Sequence, residues 1–147
     1  MAVTERTASL YKRDGKIVIC ANARVSEGYL IDHEPFALLE EPVSAIELGK
    51  AVTEALAQYR TGVPTPPAST EFLSYFAMLA GVKTYREFMD GARYCSVEQA
   101  NGTIAFQPMR NDGERFDTLQ EPAIEVPSDA NHEAVGRASS KGIGKAY

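Results

Sequence analysis

Arg93-Tyr-Cys-Ser-Val-Glu-Gln-Ala-Asn-Gly-Thr-Ile-Ala-Phe-Gln-Pro-Met-Arg110 is the stretch on which the fold turns. At its centre stand Asn101 and Gly102, which both tolerate the positive φ that a tight type I′ turn requires. A hairpin closed there sets Ala100 opposite Thr103, Gln99 opposite Ile104, Val97 opposite Phe106 and Cys95 opposite Pro108. Side chains alternate along a strand, so Cys95, Val97, Ile104 and Phe106 share one face. Tyr94, Ser96, Glu98 and Thr103 share the other. One apolar and one mostly polar face is the pattern of a sheet covered by helices on one side.

Working outward, Asp14-Gly15 is a second signal of the same kind, flanked by 9–13 and 16–20. It places Leu10, Ile17 and Ile19 on one face and Tyr11, Val18 and Cys20 on the other. Neither face is polar, so this pair is expected to be covered. The apolar pieces 28–32 and 36–39, separated by His33-Glu34-Pro35, read as one or two further strands or as an irregular crossing. Ser44 and Glu47 have capping-box spacing, and Ala45, Leu48, Val52, Ala55, Leu56 and Tyr59 follow helical periodicity. Gly62 is expected to end that helix, with Pro64 blocking continuation. Pro64, Pro66 and Pro67 make 61–69 a stiff connector. A second helix is expected to bury Phe72, Leu73, Phe76 and Ala80, and a short one over 85–90 to anchor through Phe88 and Met89 before Gly91. Beyond the hairpin, 111–117 reads as a polar loop and 123–126, between Pro122 and Pro127, as an edge strand. Ser128 or Asn131 caps a last helix. Ser44 to Val52 and Asn131 to Ser139 echo each other: a cap, an apolar residue, then glycine, a basic residue and alanine. Gly49 and Gly136 are thus expected to bring both helices close to the same sheet. The reading is α+β: a single domain, 1–147, with a mainly antiparallel sheet built from hairpins and three to four helices packed on it.

The chain has 147 residues, 44% hydrophobic and 24% charged, enough for one domain with a substantial core. It has no apolar run of membrane-spanning length and no apolar core of a secretory signal near its N-terminus, which implies a cytoplasmic protein. Cys20 and Cys95 fall inside expected strands and read as buried thiols. With His33 and His132 they make no zinc pattern. Net charge is −5, against a general nucleic-acid binder. The acids are uneven: 26–47 has six and no Lys or Arg, and 111–133 has seven and one Arg. Such stretches are either solvated surface or a face made for a basic partner.

Asp32-His33-Glu34 is the one concentrated set of ionisable groups with a histidine, but neighbours on an extended chain point apart and are poorly placed to share a metal or a proton. No nucleophile elbow, phosphate-binding glycine loop or His-Glu-x-x-His is present. Tyr11, Tyr94 and Phe106 would suit a base-stacking sheet only if exposed, and Phe106 is assigned to the core. The residues thus make no case for an enzyme.

Five segments in order, 47–56, 59–64, 80–88, 95–97 with 104–108, and 126–131 with Val135-Gly136, resemble the immunity proteins of bacterial contact-dependent growth inhibition systems, the CdiI family. The resemblance covers 42–137. The C-terminus departs from it: an alanine- and leucine-rich helix is replaced by Ala138-Ser-Ser-Lys-Gly-Ile-Gly-Lys-Ala-Tyr147, which leaves the length of the last helix open. What the resemblance implies is a non-catalytic cytoplasmic protein with no cofactor or metal. Its partner would be the CdiA C-terminal toxin domain, a nuclease, bound one to one, with no nucleic acid or membrane partner. A nuclease needs a basic cleft, and an acidic inhibitor can fill it or block it from beside. On that basis Asp32, Glu34, Glu40 and Glu41, or Asp112, Glu114 and Asp117, are the candidate toxin contacts. The alternatives are a small enzyme acting through His33 and an adaptor subunit of another complex.

Overall fold

The computed structural model describes residues 5–28, 30–64, 85–113, 116–119 and 122–147. Their order is β1 (Arg6–Arg13), β2 (Lys16–Val25), β3 (Leu30–Glu40), α1 (Ala45–Ala57), β4 (Arg60–Val63), α2 (Tyr85–Met89), β5 (Arg93–Ala100), β6 (Thr103–Asn111), β7 (Phe116–Thr118), β8 (Ile124–Pro127) and α3 (His132–Lys145). The fold is α+β, a curved, mainly antiparallel sheet with, among the described residues, three helices packed on it. The strand order is β3-β2-β1-β5-β6-β7, with β4 beside β2 and β8 beside β6. The helix expected over 72–80 lies outside the described residues.

Both two-residue turns form. Asp14 and Gly15 have φ of 51° and 76°, and Asn101 and Gly102 have 54° and 77°, as a type I′ turn demands. The register follows from them. Ala100 faces Thr103, Gln99 Ile104, Val97 Phe106 and Cys95 Pro108. In the first hairpin Leu10 faces Ile19 and Tyr11 faces Val18. The two hairpins join through β1 and β5, which pair antiparallel with Leu10 opposite Cys95 and Tyr11 opposite Tyr94.

The pieces on either side of His33-Glu34-Pro35 are one strand. Cys20 pairs with Phe36 and the next residue, Ala21, with His33, so β3 carries two extra residues there. Pro35 has no N–H to give a ladder, and an irregularity is where a strand accommodates it.

α1 begins as expected: the Glu47 N–H donates to Ser44 Oγ at 3.1 Å. It ends earlier than expected, at Ala57, with the Gln58 N–H bonded to the Ala55 carbonyl. Gly62 is not its cap. It sits in β4, which runs parallel to β2 and shifts register between Arg24 and Val25. Gly62, at φ 66°, supplies the left-handed residue of that irregularity. Likewise 111–117 is not all loop, because β7 pairs with the end of β6.

The cover expected for the first hairpin forms on both its faces, and the one-sided cover read for the central hairpin is corrected. Leu10, Ile17, Ile19, Cys95, Val97, Ile104 and Phe106 form one core with Leu48, Val52 and Leu56 of α1 and Val135, Ala138 and Ile143 of α3. The opposite face carries a smaller core of Tyr11, Val18 and Cys20 with Phe88, Met89 and Ala92, flanked by Phe36, Tyr94 and Phe116. Tyr11 stacks on Tyr94 with ring centroids 4.7 Å apart. α2 is thus the anchor of the second face.

The two glycines of the echo do mark a close approach, but not to the sheet: each faces the other's helix. A Cβ on Gly49 would lie 1.7 Å from the His132 carbonyl oxygen, and one on Gly136 1.7 Å from that of Ala45. Each glycine receives the backbone of the other helix, so α1 and α3 cross at contact distance. The glycine that meets the sheet is Gly142, whose Cβ would fall 2.8 Å from Cys95 Sγ and 3.1 Å from Phe106 Cβ. α3 continues past it to Lys145, which settles its length.

Candidate functional site

The sequence-derived acids divide into two groups once the strands are paired. Asp32, on the edge strand β3, lies opposite Asn22 of β2. On the second face its Oδ1 accepts from Ser9 Oγ at 2.5 Å and Asn22 Nδ2 at 2.9 Å, and its Oδ2 from Tyr11 Oη at 2.6 Å. Asn22 Nδ2 also donates to Ser9 Oγ, and Thr7 Oγ1 donates to Asn22 Oδ1. Burial pushes the Asp32 carboxyl above the usual carboxylate range, while its hydrogen bonds from Ser9, Tyr11 and Asn22 pull it back. Burial, and then the Asp32 charge, raises the Tyr11 phenol and the Cys20 thiol. By the same causes Tyr94 is pushed up to about 12. Cys95 is raised to about 12 by burial alone. Thiols held neutral are poor nucleophiles, and both cysteines are free and buried. This network cross-links β1, β2 and β3. It was hidden in the sequence because Ser9, Tyr11, Asn22 and Asp32 meet only through the register of three strands. The one available signal was the polar alternation of Thr7, Ser9 and Tyr11 along β1.

Glu40, Glu41, Asp112 and Asp117 go elsewhere, to one end of the sheet. Glu40 closes β3 opposite Lys16. The Glu41 N–H donates to the Gly15 carbonyl at 2.8 Å, and its carboxylate holds Lys12 Nζ at 2.9 Å. Asp117 pairs with Arg110 at 3.4 Å, and exposed Asp112 follows the last residue of β6. Glu114, and the side chains of His33 and Glu34, lie outside the described residues. Between β3 and β7 stand five strand spacings, about 24 Å along the sheet. The two acid groups therefore flank a strip and do not form one cluster.

The middle of the strip is concave. A cleft of about 890 Å³ opens where the α2–β5 turn meets the end of β6, lined among others by Arg86, Asp90, Arg93, Asn111 and Tyr147. Asn111 Nδ2 donates to the Met89 and Ala92 carbonyls at 2.6 and 2.8 Å, clamping that corner to β6. The Tyr147 N–H donates to the Met109 carbonyl at 3.2 Å, and the Asn111 N–H bonds back to the Tyr147 carbonyl.

Among the described residues no group of three His, Cys, Asp or Glu could hold a metal ion, and no helix is long and apolar enough to cross a membrane.

Two solved structures share the fold. A protein of unknown function from Neisseria meningitidis is 18% identical, with a TM-score of 0.82 over 98% of this chain and 96% of that one. A CdiA-CT/CdiI toxin and immunity complex from Yersinia pseudotuberculosis has a chain 15% identical, with a TM-score of 0.80 over 98% of each. No curated protein matches. At such identity the two structures speak for the architecture alone. The family follows from the sequence itself, since the model of the CDI immunity proteins matches residues 6–145, from the first strand to the last residue of α3: the chain belongs to the CdiI family.

Proposed function

We propose that the chain, acting as one domain over 1–147, binds the toxin domain of its cognate CdiA protein in the cytoplasm and blocks it without chemistry of its own. The observation that carries this is the match to the immunity family over 6–145. Proteins of this type are not catalytic. The fold shared with a chain of a toxin and immunity complex is in keeping with it. A nuclease is the toxin class that an acidic inhibitor suits, because its cleft must hold phosphates. Carboxylates at the sheet end can be steered to such a cleft and occupy or cover it. Glu40, Glu41, Asp112 and Asp117 are the contacts put forward, with Glu34 and Glu114 of the same stretches. Asp32 is left out, because its carboxylate is buried on the second face among Ser9, Tyr11 and Asn22, away from the sheet end.

The test is co-expression with the C-terminal toxin domain of its cognate CdiA protein. Rescue of growth and co-purification at one to one are expected, and loss of both removes the reading. Charge reversal at Glu40 and Glu41, or at Asp112 and Asp117, is expected to slow association. If neither pair slows it, these acids are not the contacts.

A further inference from the structure

We infer that the cationic corner between the two acid groups, built from Lys12, Arg13, Arg86 and Arg93, docks an acidic segment of the toxin domain. The inference rests on the proposed function and adds to it a surface of the opposite sign.

The corner is made by topology. β1 and β5 are far apart in sequence, yet pairing sets Lys12 directly opposite Arg93. Like charges opposed across a ladder destabilise it, so this placement works against the fold. Gly91, at φ 87°, turns the chain from α2 into β5. It and Arg93 line both the 890 Å³ cleft and a neighbouring concavity of about 260 Å³, whose other walls are Lys12, Arg13 and Asp14. Arg93 is therefore the ridge between two hollows.

Two of the four cations are already held. Lys12 pairs with Glu41, and Arg13 Nε donates to the Asp90 carbonyl at 2.9 Å. Arg86 and Arg93 are exposed, and among the described residues no hydrogen bond or ion pair engages either guanidinium. A guanidinium presents five N–H donors in a rigid fork that matches a carboxylate. Two such forks facing one clamped cleft form a carboxylate receiver whose walls need not be ordered on binding. Asp14, Glu87 and Asp90 also line the hollows, so the excess of positive charge is small. What selects the ligand is the two unengaged forks and not the net charge.

The flanks decide which acidic ligand fits. Glu40 and Glu41 on one side and Asp112 and Asp117 on the other would repel a continuous polyanion. A folded protein can carry an acidic segment between basic ones and match all three parts of the strip. That points to the toxin domain itself.

The experiment measures binding of the full chain to the purified toxin domain at low and high salt, for wild type and for Arg86→Glu/Arg93→Glu. The double reversal is expected to weaken binding at least tenfold at low salt and to flatten its salt dependence, with the thermal midpoint unchanged. Arg86→Lys/Arg93→Lys is expected to recover only part, since a lysine cannot fork. If the double reversal unfolds the chain, Arg86→Ala and Arg93→Ala singly decide, each expected to weaken binding severalfold. Wild-type affinity and salt dependence in the folded variants would overturn the inference and leave the proposed function standing. A wild type that does not bind the toxin overturns both.

Discussion

Gly49→Ala tests the helix crossing. The added Cβ would lie 1.7 Å from the His132 carbonyl oxygen, 2.6 Å from its carbon and 2.8 Å from the Gly136 nitrogen. Non-bonded carbon and oxygen need about 3 Å or more, so α1 must move off α3 by about 1.3 Å. All three obstructing atoms are backbone, so no rotamer can yield. Both helices rest on the same core through Leu48, Val52, Leu56 and Val135. A gap of that size forfeits much of the dispersion contact along the crossing, and overpacking of this kind costs about 3 kcal/mol at the upper end of its usual range. Alanine returns about 1 kcal/mol of helix propensity. The net is a loss of about 2 kcal/mol, or about 4–8 °C in midpoint for a chain of this size. Gly136→Ala should match it, and the double variant should cost less than the two together, because one displacement relieves both clashes. The control is Gly144→Ala, in α3 with nothing within 4 Å of its Cβ position, which should gain up to about 1 kcal/mol. Urea unfolding followed by circular dichroism measures all four. If Gly49→Ala is as stable as wild type while Gly144→Ala is not destabilised, the backbone-to-backbone crossing is wrong.

Asp32 gives a prediction with a definite sign. Burial raises its carboxyl above the unfolded value, so the native state holds the proton more tightly than the unfolded chain. The stability linked to it is fully present below the unfolded pKa and is lost as pH rises through the folded one. Unfolding free energy measured from pH 3 upward should therefore fall for wild type relative to Asp32→Asn across that window, and parallel curves would exclude the effect. Tyr11→Phe removes one donor to that carboxylate, at 2.6 Å, and should cost about 2 kcal/mol of stability in the same assay at pH 7. Asn101→Pro should prevent folding, since proline holds φ near −65° and Asn101 needs 54°. A folded Asn101→Pro protein by circular dichroism would mean that the turn does not direct the central hairpin.

The turns were legible because their chemistry is local. Asp14-Gly15 and Asn101-Gly102 each fix a two-residue loop, the loop fixes the register, and the register fixes which residues share a face. Cys95, Val97, Ile104 and Phe106 follow without further information, and all are buried in one core. What failed depended on partners distant in sequence. β4 is four residues, mostly exposed, and exists because β2 offers it an edge. Its Gly62 looks like a helix stop when only the preceding helix is considered. Gly49 and Gly136 were recognised as equivalent, but equivalence does not say what each faces, and two helices meeting each other give the same pattern as two meeting a sheet. The acidic stretches were visible as composition. Asp32 separated from its neighbours in sequence because β3 turns it toward Ser9, Tyr11 and Asn22.

The same topology gives the sheet end a different physical standing from the sheet interior. In the interior, a change at Phe106 or Val97 opens a cavity or overpacks a core where each is 0% exposed. At the end, Glu40, Asp112, Arg86 and Arg93 are exposed side chains, and substitutions at such sites shift stability by about 0.5 kcal/mol or less. Charges there can change sign or position while the hairpins, the two cores and the glycine crossing stay as they are. The Neisseria and Yersinia chains reach TM-scores of 0.82 and 0.80 at 18% and 15% identity, so this architecture tolerates wide change in sequence. An immunity protein must fit one toxin, and specificity is a difference between affinities that misplaced like charges can enforce. On the proposed reading of the sheet end as the toxin surface, a strip of alternating charge on strand ends would let that difference be set without disturbing the fold that carries it.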